Sequence, residues 1–125
     1  MLIEERFHND NRQISVGGKL VEPPYATAVP RVELVFETFH VIHYSNSSNT
    51  APSRGDNVLA VKKDGTPLWR IQPYWEPDFM IDPYCTVAYD PEKECLVLRT
   101  SDGDVALADL SNGKLIQRIA VNNRG

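Results

Sequence analysis

No stretch of this 125-residue chain is apolar for anything near the roughly 20 residues that a membrane-spanning helix needs. The opening residues, Met1-Leu2-Ile3-Glu4-Glu5-Arg6, lack the basic region and apolar run of a secretory signal, so a cytoplasmic protein that binds no membrane is expected. Cysteine is scarce. Cys85 and Cys95 are too few for a disulfide framework and are expected to be reduced thiols, each a small buried hydrophobe. Basic residues are outnumbered, 13 to 17, for a formal charge of −4. Nucleic-acid binding needs a basic face and is not expected. No segment of helical length repeats its apolar residues with a period near 3.6. There is no phosphate-cradling glycine loop and no serine elbow, so no catalytic set is expected and no cofactor is implied.

What the chain does have is turns. Asp64-Gly65, Asp102-Gly103 and Asn112-Gly113 each sit between apolar-rich runs, as two-residue hairpin turns do, and Asp90-Pro91-Glu92-Lys93 makes a fourth turn. They predict strands over Val32–Phe36, Thr38–Tyr44, Asn57–Lys62, Thr66–Gln72, Cys85–Tyr89, Glu94–Thr100, Asp104–Asp109 and Lys114–Val121. Two weaker strands, Gln13–Val16 and Lys19–Val21, flank Gly17-Gly18. The class is all-β: antiparallel hairpins in two packed sheets, a sandwich or a blade-like stack, without substantial helix.

The hairpin at Asp64-Gly65 predicts its own register. If Lys63 and Thr66 close it, Leu59 faces Arg70, Ala60 faces Trp69, Val61 faces Leu68 and Lys62 faces Pro67. Pro67 then turns its missing donor away from the partner, which marks an edge strand. Leu59, Val61 and Leu68 fall on one face and Val58, Trp69 and Ile71 on the other, so both faces need cover. Ser45 to Gly55 has almost nothing to bury and is expected to be a surface loop.

Gly55 to Ile71, GDNVLAVKKDGTPLWRI, and Gly103 to Ile119, GDVALADLSNGKLIQRI, run alike: Gly-Asp, strand, turn, strand, Arg-Ile, 48 residues apart. On these residues the chain resembles the β-propeller families. Cys85 to Ile119 is similar to a WD40 blade, with Asp90-Pro91 at its first turn and Ala108-Asp109 where that family has Trp-Asp. Pro67-Leu68-Trp69-Arg70-Ile71 is similar to the quinoprotein type of blade. The resemblance implies two four-stranded blades and no quinone cofactor, because those sites belong to complete rings of typically four or more blades. One domain over 1–125 is expected, with residues 1–31 as a covering segment, 32–72 and 85–121 as the two repeats, and 73–84 as a joint.

That joint, PYWEPDFMIDPY, packs three prolines, four aromatics and three acids into twelve residues. Between Pro73 and Cys95 the net charge is −5, more negative than the whole chain. A solvated rim and a face for a basic partner both fit such a run. Trp75, Phe79 and Tyr84 are expected to close the core, and Tyr74, Glu76, Asp78 and Asp82 to stay in solvent. Tyr74, Trp75, Glu76, Asp78 and Asp82, with Glu92 and Glu94 on the next turn, form the candidate binding surface. His40 and His43, three apart on a strand, point to opposite faces and cannot chelate one ion, so no metal site is expected. If Tyr89 pairs with Glu94, the two cysteines lie roughly 10 Å out of register along the strand, too far for a disulfide.

The expected function is a non-catalytic protein-binding module, of which a small acidic inhibitor or immunity-type protein for a basic partner is one form. Alternatives are a β-domain that binds a small ligand or glycan by stacking on Trp69, Tyr74 and Trp75, a hydrolase using the clustered carboxylates, and an assembly subunit. Open sheet edges on so small a protein also favour a homodimer.

Overall fold

A computed structural model describes residues 2–5, 14–23, 28–46, 56–74, 84–100 and 103–120. Every described element is a strand: β1 (Leu2–Glu5), β2 (Ile14–Val16), β3 (Lys19–Val21), β4 (Ala28–Phe36), β5 (Phe39–Asn46), β6 (Val58–Lys62), β7 (Pro67–Arg70), β8 (Tyr84–Asp90), β9 (Cys95–Thr100), β10 (Val105–Asp109) and β11 (Leu115–Ile119). All pairings are antiparallel. They make a five-stranded sheet in the order β1-β4-β5-β6-β7, a four-stranded sheet in the order β11-β10-β9-β8, and a separate ribbon, β2-β3. The all-β antiparallel class stands, with three packed sheets where two were expected.

The propeller resemblance does not survive. Both large sheets are flat and open, neither closed nor curled, and the repeat that resembles a quinoprotein blade gains a fifth strand from β1. The 48-residue repeat reflects two hairpins of similar chemistry placed in different sheets.

Two cores alternate with the sheets. Leu34, Phe36, Val41, Val58 and Ile71 from the five-stranded sheet meet Leu96, Leu98, Ala106 and Ala108 from the four-stranded one, with Tyr74 and Tyr84 between them. On the other side, Ile14, Val16 and Val21 of the ribbon cover Val35, Ile42, Tyr44 and Val61. The period of two does this sorting: along β5, Val41 goes one way and Ile42 and Tyr44 the other. Burying each Leu, Ile or Val stabilises the fold by roughly 1.5–3 kcal/mol. The hairpin β6–β7 is covered by the four-stranded sheet on one side; on the other the ribbon covers Leu59 and Val61 of β6 and leaves Leu68 of β7 exposed.

Turn chemistry departs from expectation in a consistent way. Gly65 N donates to Lys62 O and Lys62 N to Thr66 O, so three residues, not two, reverse the chain, with Gly65 at φ 89°. The Leu59–Arg70 and Ala60–Trp69 pairs form as expected, but Val61 faces Pro67 instead of Leu68. Because Lys62 bonds Thr66, the next pair is unbonded, and Pro67 still points its nitrogen away from β6. The turn at Gly103 repeats the three-residue pattern, and at Gly113 four residues close the loop. Glu94 takes φ 52°, lengthening the β8–β9 turn so that Asp90 faces Cys95 and Tyr89 faces Leu96. The expected Tyr89–Glu94 pair is displaced by two residues.

Pro30 sits inside β4 for a reason that also explains why residues 28–31 escape a sequence reading. Tyr44, its partner, donates its N–H to Asn57 O on the β6 side. The Pro30–Tyr44 pair is therefore unbonded, and Pro30 turns its nitrogen away from β5, towards the side on which, among the described residues, β1 pairs only with Leu34 to Phe36. Ser45 and Asn46 belong to β5 and not to the expected loop. Among the described residues no helix is long and apolar enough to cross a membrane.

Candidate binding groove

A groove of about 660 Å³ lies between β3 on one side and β6 and β7 on the other. Its wall runs from Lys19 to Pro23, its floor includes Leu59 and Val61, and its far side runs from Gly65 to Arg70. Two of the four large apolar side chains most exposed among the described residues stand here: Leu20 at 58% and Leu68 at 38%.

The groove is held open by a contact between two turns. The Gly17-Gly18 turn of the ribbon lies on the Lys63–Gly65 turn of the β6–β7 hairpin. A Cβ on Gly17 would come within 2.6 Å of Asp64 Cα, and one on Gly65 within 2.7 Å of Lys19 Cβ. Neither Gly17 nor Gly65 has room for a side chain, so glycine is needed on both sides of the contact. Val21 and Val16 then anchor the ribbon on Val61 and its neighbours.

Charge is unequal along the groove. At the turn end Lys19 lines the groove, next to the turn that carries the Asp64 carboxylate. Hydrogen bonds from Thr66 hold that carboxyl below its usual range, with Lys19 and Lys62 adding to the effect. At the other end Glu22 stands on the β3 side, while Arg70 makes an ion pair with Asp56 at 3.0 Å. Trp69 borders the groove, and its indole N–H donates to Leu110 O at 2.9 Å, which fixes the ring against Gly113.

The residues expected to form a site are distributed differently. Trp75, Glu76, Asp78 and Asp82, like Phe79, lie outside the described residues. Glu92 and Glu94 are exposed at the tip of the β8–β9 turn. Tyr74 is not in solvent: it is 6% exposed, its carbonyl accepts from Arg118 Nε at 2.8 Å, and the guanidinium lies 6.0 Å from its ring centre. Tyr74 therefore offers no open stacking platform. Tyr84 is buried in the core as expected. Cys95 is buried, but Cys85 is exposed, because it falls at the register shift between Tyr84 and Thr86.

His43 and His40 do point to opposite sides. His43 Nε2 donates to Tyr84 O at 2.7 Å across the sheets; a carbonyl only accepts, so the proton is on Nε2. Asn57 joins the same node. Its Nδ2 donates to Tyr44 O and Tyr84 O at 2.8 and 2.9 Å, and its Oδ1 accepts from Tyr84 N at 3.0 Å. His40 is half-buried, and burial first, then Lys63, lowers its pKa. Among the described residues no three His, Cys, Asp or Glu side chains gather to hold a metal ion.

The groove was not legible in advance because its walls are residues 19–23 and 59–70, which only the packing of the ribbon brings together. The available signal was Leu20 and Leu68, apolar positions beside turns with no cover assigned to them. Comparison with known protein families, with characterised sequences and with solved structures returns no match.

Proposed function

We propose that this protein is a non-catalytic protein-binding module and that the groove between β3 and β7 is its recognition surface. One observation carries the reading: a groove of about 660 Å³ coincides with the exposed Leu20 and Leu68 and has Lys19 at one end. Clefts of roughly 300–1,000 Å³ with an apolar lining and a few placed polar groups are where ligands bind. Exposed apolar groups ringed by charge are the composition of a protein contact. The reading takes the protein to be cytoplasmic, with its two cysteines reduced.

The test compares affinity capture from the native host by the natural protein and by a Leu20→Asp/Leu68→Asp variant of equal thermal stability. A partner held by the first and lost by the second is the expected result. Partners held equally by both contradict the reading.

A second surface is favoured by the exposure of Glu92 and Glu94 within the most acidic part of the chain. An inhibitor of a basic partner would use them together with Glu76, Asp78 and Asp82. Binding through that surface weakens steeply between 0.1 and 1 M salt, as screened contacts do. A complex that ignores both salt and charge reversal at these five acids removes this form of the proposal.

A further inference from the structure

The two strands that border the groove offer different edges. β7 begins at Pro67, which has no N–H to give, and its register slips between Ala60 and Val61. Proline and a bulge are ways in which sheet edges are made poor templates. β3 has neither. Gly17 at φ 58° and Gly18 at φ 83° form a two-residue turn, so Val16 and Lys19 exchange both backbone bonds. The next pair, Ser15 and Leu20, is then the unbonded one, and Leu20 N–H and C=O point away from β2. Among the described residues β3 pairs with β2 alone. Lys19 to Pro23 line the groove and β2 does not, so the open edge of β3 is the one that faces it.

Building on the reading of the groove as the recognition surface, we infer that it takes one extended peptide segment by strand addition to β3, which turns the two-stranded ribbon into three strands over β6 and β7. Leu20 exchanges both backbone bonds with one residue of the segment. The residues on either side of that one turn inward over Leu59 and Leu68, since side chains alternate along a strand. They are aliphatic because the floor beneath them is. The residue opposite Leu20 shares its outer face and shields a side chain now 58% exposed. At the turn end Lys19 lines the groove and calls for an acidic residue. The occupant is thus a segment with aliphatic residues at alternate positions and carboxylates at the end beside Lys19.

The test uses the full chain and a fluorescein-labelled heptapeptide, Val-Thr-Ile-Thr-Val-Asp-Asp, whose C-terminal acids fall beside Lys19 in an antiparallel pairing, with three companions: a version ending in Lys-Lys and two versions N-methylated on alternate sets of backbone nitrogens. Anisotropy titration is expected to show binding by the acidic peptide and weaker binding by the basic one. Lys19→Glu should reverse that order. One methylated set should bind about tenfold or more weakly, the loss expected for a bond to a positioned backbone group, and the other set should bind normally. Leu20→Pro should weaken the acidic peptide comparably, because it removes an outward donor and no bond within the ribbon. Binding that ignores both methylation sets and Leu20→Pro, yet falls with Leu68→Asp, overturns strand addition and leaves the groove as a binding surface. Binding by none of the peptides overturns strand addition; if Leu20→Asp/Leu68→Asp also captures the same partners as the natural protein, the groove reading falls with it.

Discussion

Asn57 is a short side chain with an unusually long reach. Placed one residue before β6 and 1% exposed, it occupies both backbone groups of Tyr84 and so does the work of a missing strand partner between the sheets. Replacing it with alanine would leave Tyr84 N–H and part of the Tyr84 and Tyr44 carbonyl capacity buried without it. Each orphaned group costs roughly 1–3 kcal/mol, so Asn57→Ala should destabilise the protein by about 2–4 kcal/mol. Urea unfolding monitored by circular dichroism measures this; a loss under about 1 kcal/mol would mean that the node does not join the sheets. Tyr44 presents the reverse case. Its hydroxyl has no hydrogen-bond partner among the described residues, and burial pushes its pKa up to about 12 from 10. The folded state holds this proton more tightly than the unfolded state does, so the contribution is intact below pH 10 and fades as pH rises towards 12. Tyr44→Phe should therefore unfold less readily than the natural protein at pH 11.5 relative to pH 9, by roughly 1–2 kcal/mol. Equal pH dependence in the two would contradict the burial of the phenol. None of this was readable beforehand: Asn57 appears in the sequence only as the first polar residue of a strand, and its partner Tyr84 is 27 positions away.

At the scale of elements, strands were far easier to read than turns. The alternation of Val58, Leu59, Ala60 and Val61 predicts which residues share a face, and the Leu59–Arg70 and Ala60–Trp69 pairs follow from it. The number of residues in a turn does not follow, because Asp-Gly fits both a two-residue turn and a longer one whose last residue takes positive φ. A shift of one residue at Gly65 changed the partner of Val61, and a shift of two at Glu94 moved both cysteines. The ribbon shows the same division. Its strands flank Gly17-Gly18 as expected, but its place against Ile42 and Val61 depends on the fit between two turns. Gly65→Ala tests that fit directly. It imposes φ 89° on a residue with a Cβ and pushes that Cβ towards Lys19. The expected cost is about 1–3 kcal/mol, accompanied by faster hydrogen exchange at Ile14 and Val21. Exchange that quickened in β7 but not in the ribbon would separate the turn from the ribbon's packing.

At the scale of the whole molecule, the arrangement is a central five-stranded sheet with unequal covers. The four-stranded sheet buries one face through residues such as Leu96 and Leu98, while on the other side a ribbon of three-residue strands covers Val35, Ile42, Tyr44 and Val61. The groove lies beside that narrow cover. Two-stranded ribbons are marginal alone, and a third strand is the natural way to extend one. Glu92 and Glu94, exposed on the β8–β9 turn, do not line the groove and mark the second, acidic surface proposed above. The two surfaces make opposite demands on a partner's charge, which allows one experiment to choose between them. Backbone amide spectra of the labelled protein, recorded as the acidic heptapeptide is added, address the choice most directly. The account predicts shifts confined to Lys19, Leu20, Leu68 and Arg70, with the Leu20 amide becoming protected from exchange. Shifts centred on Glu92 and Glu94, or a Leu20 amide that exchanges as fast with peptide as without it, would contradict it.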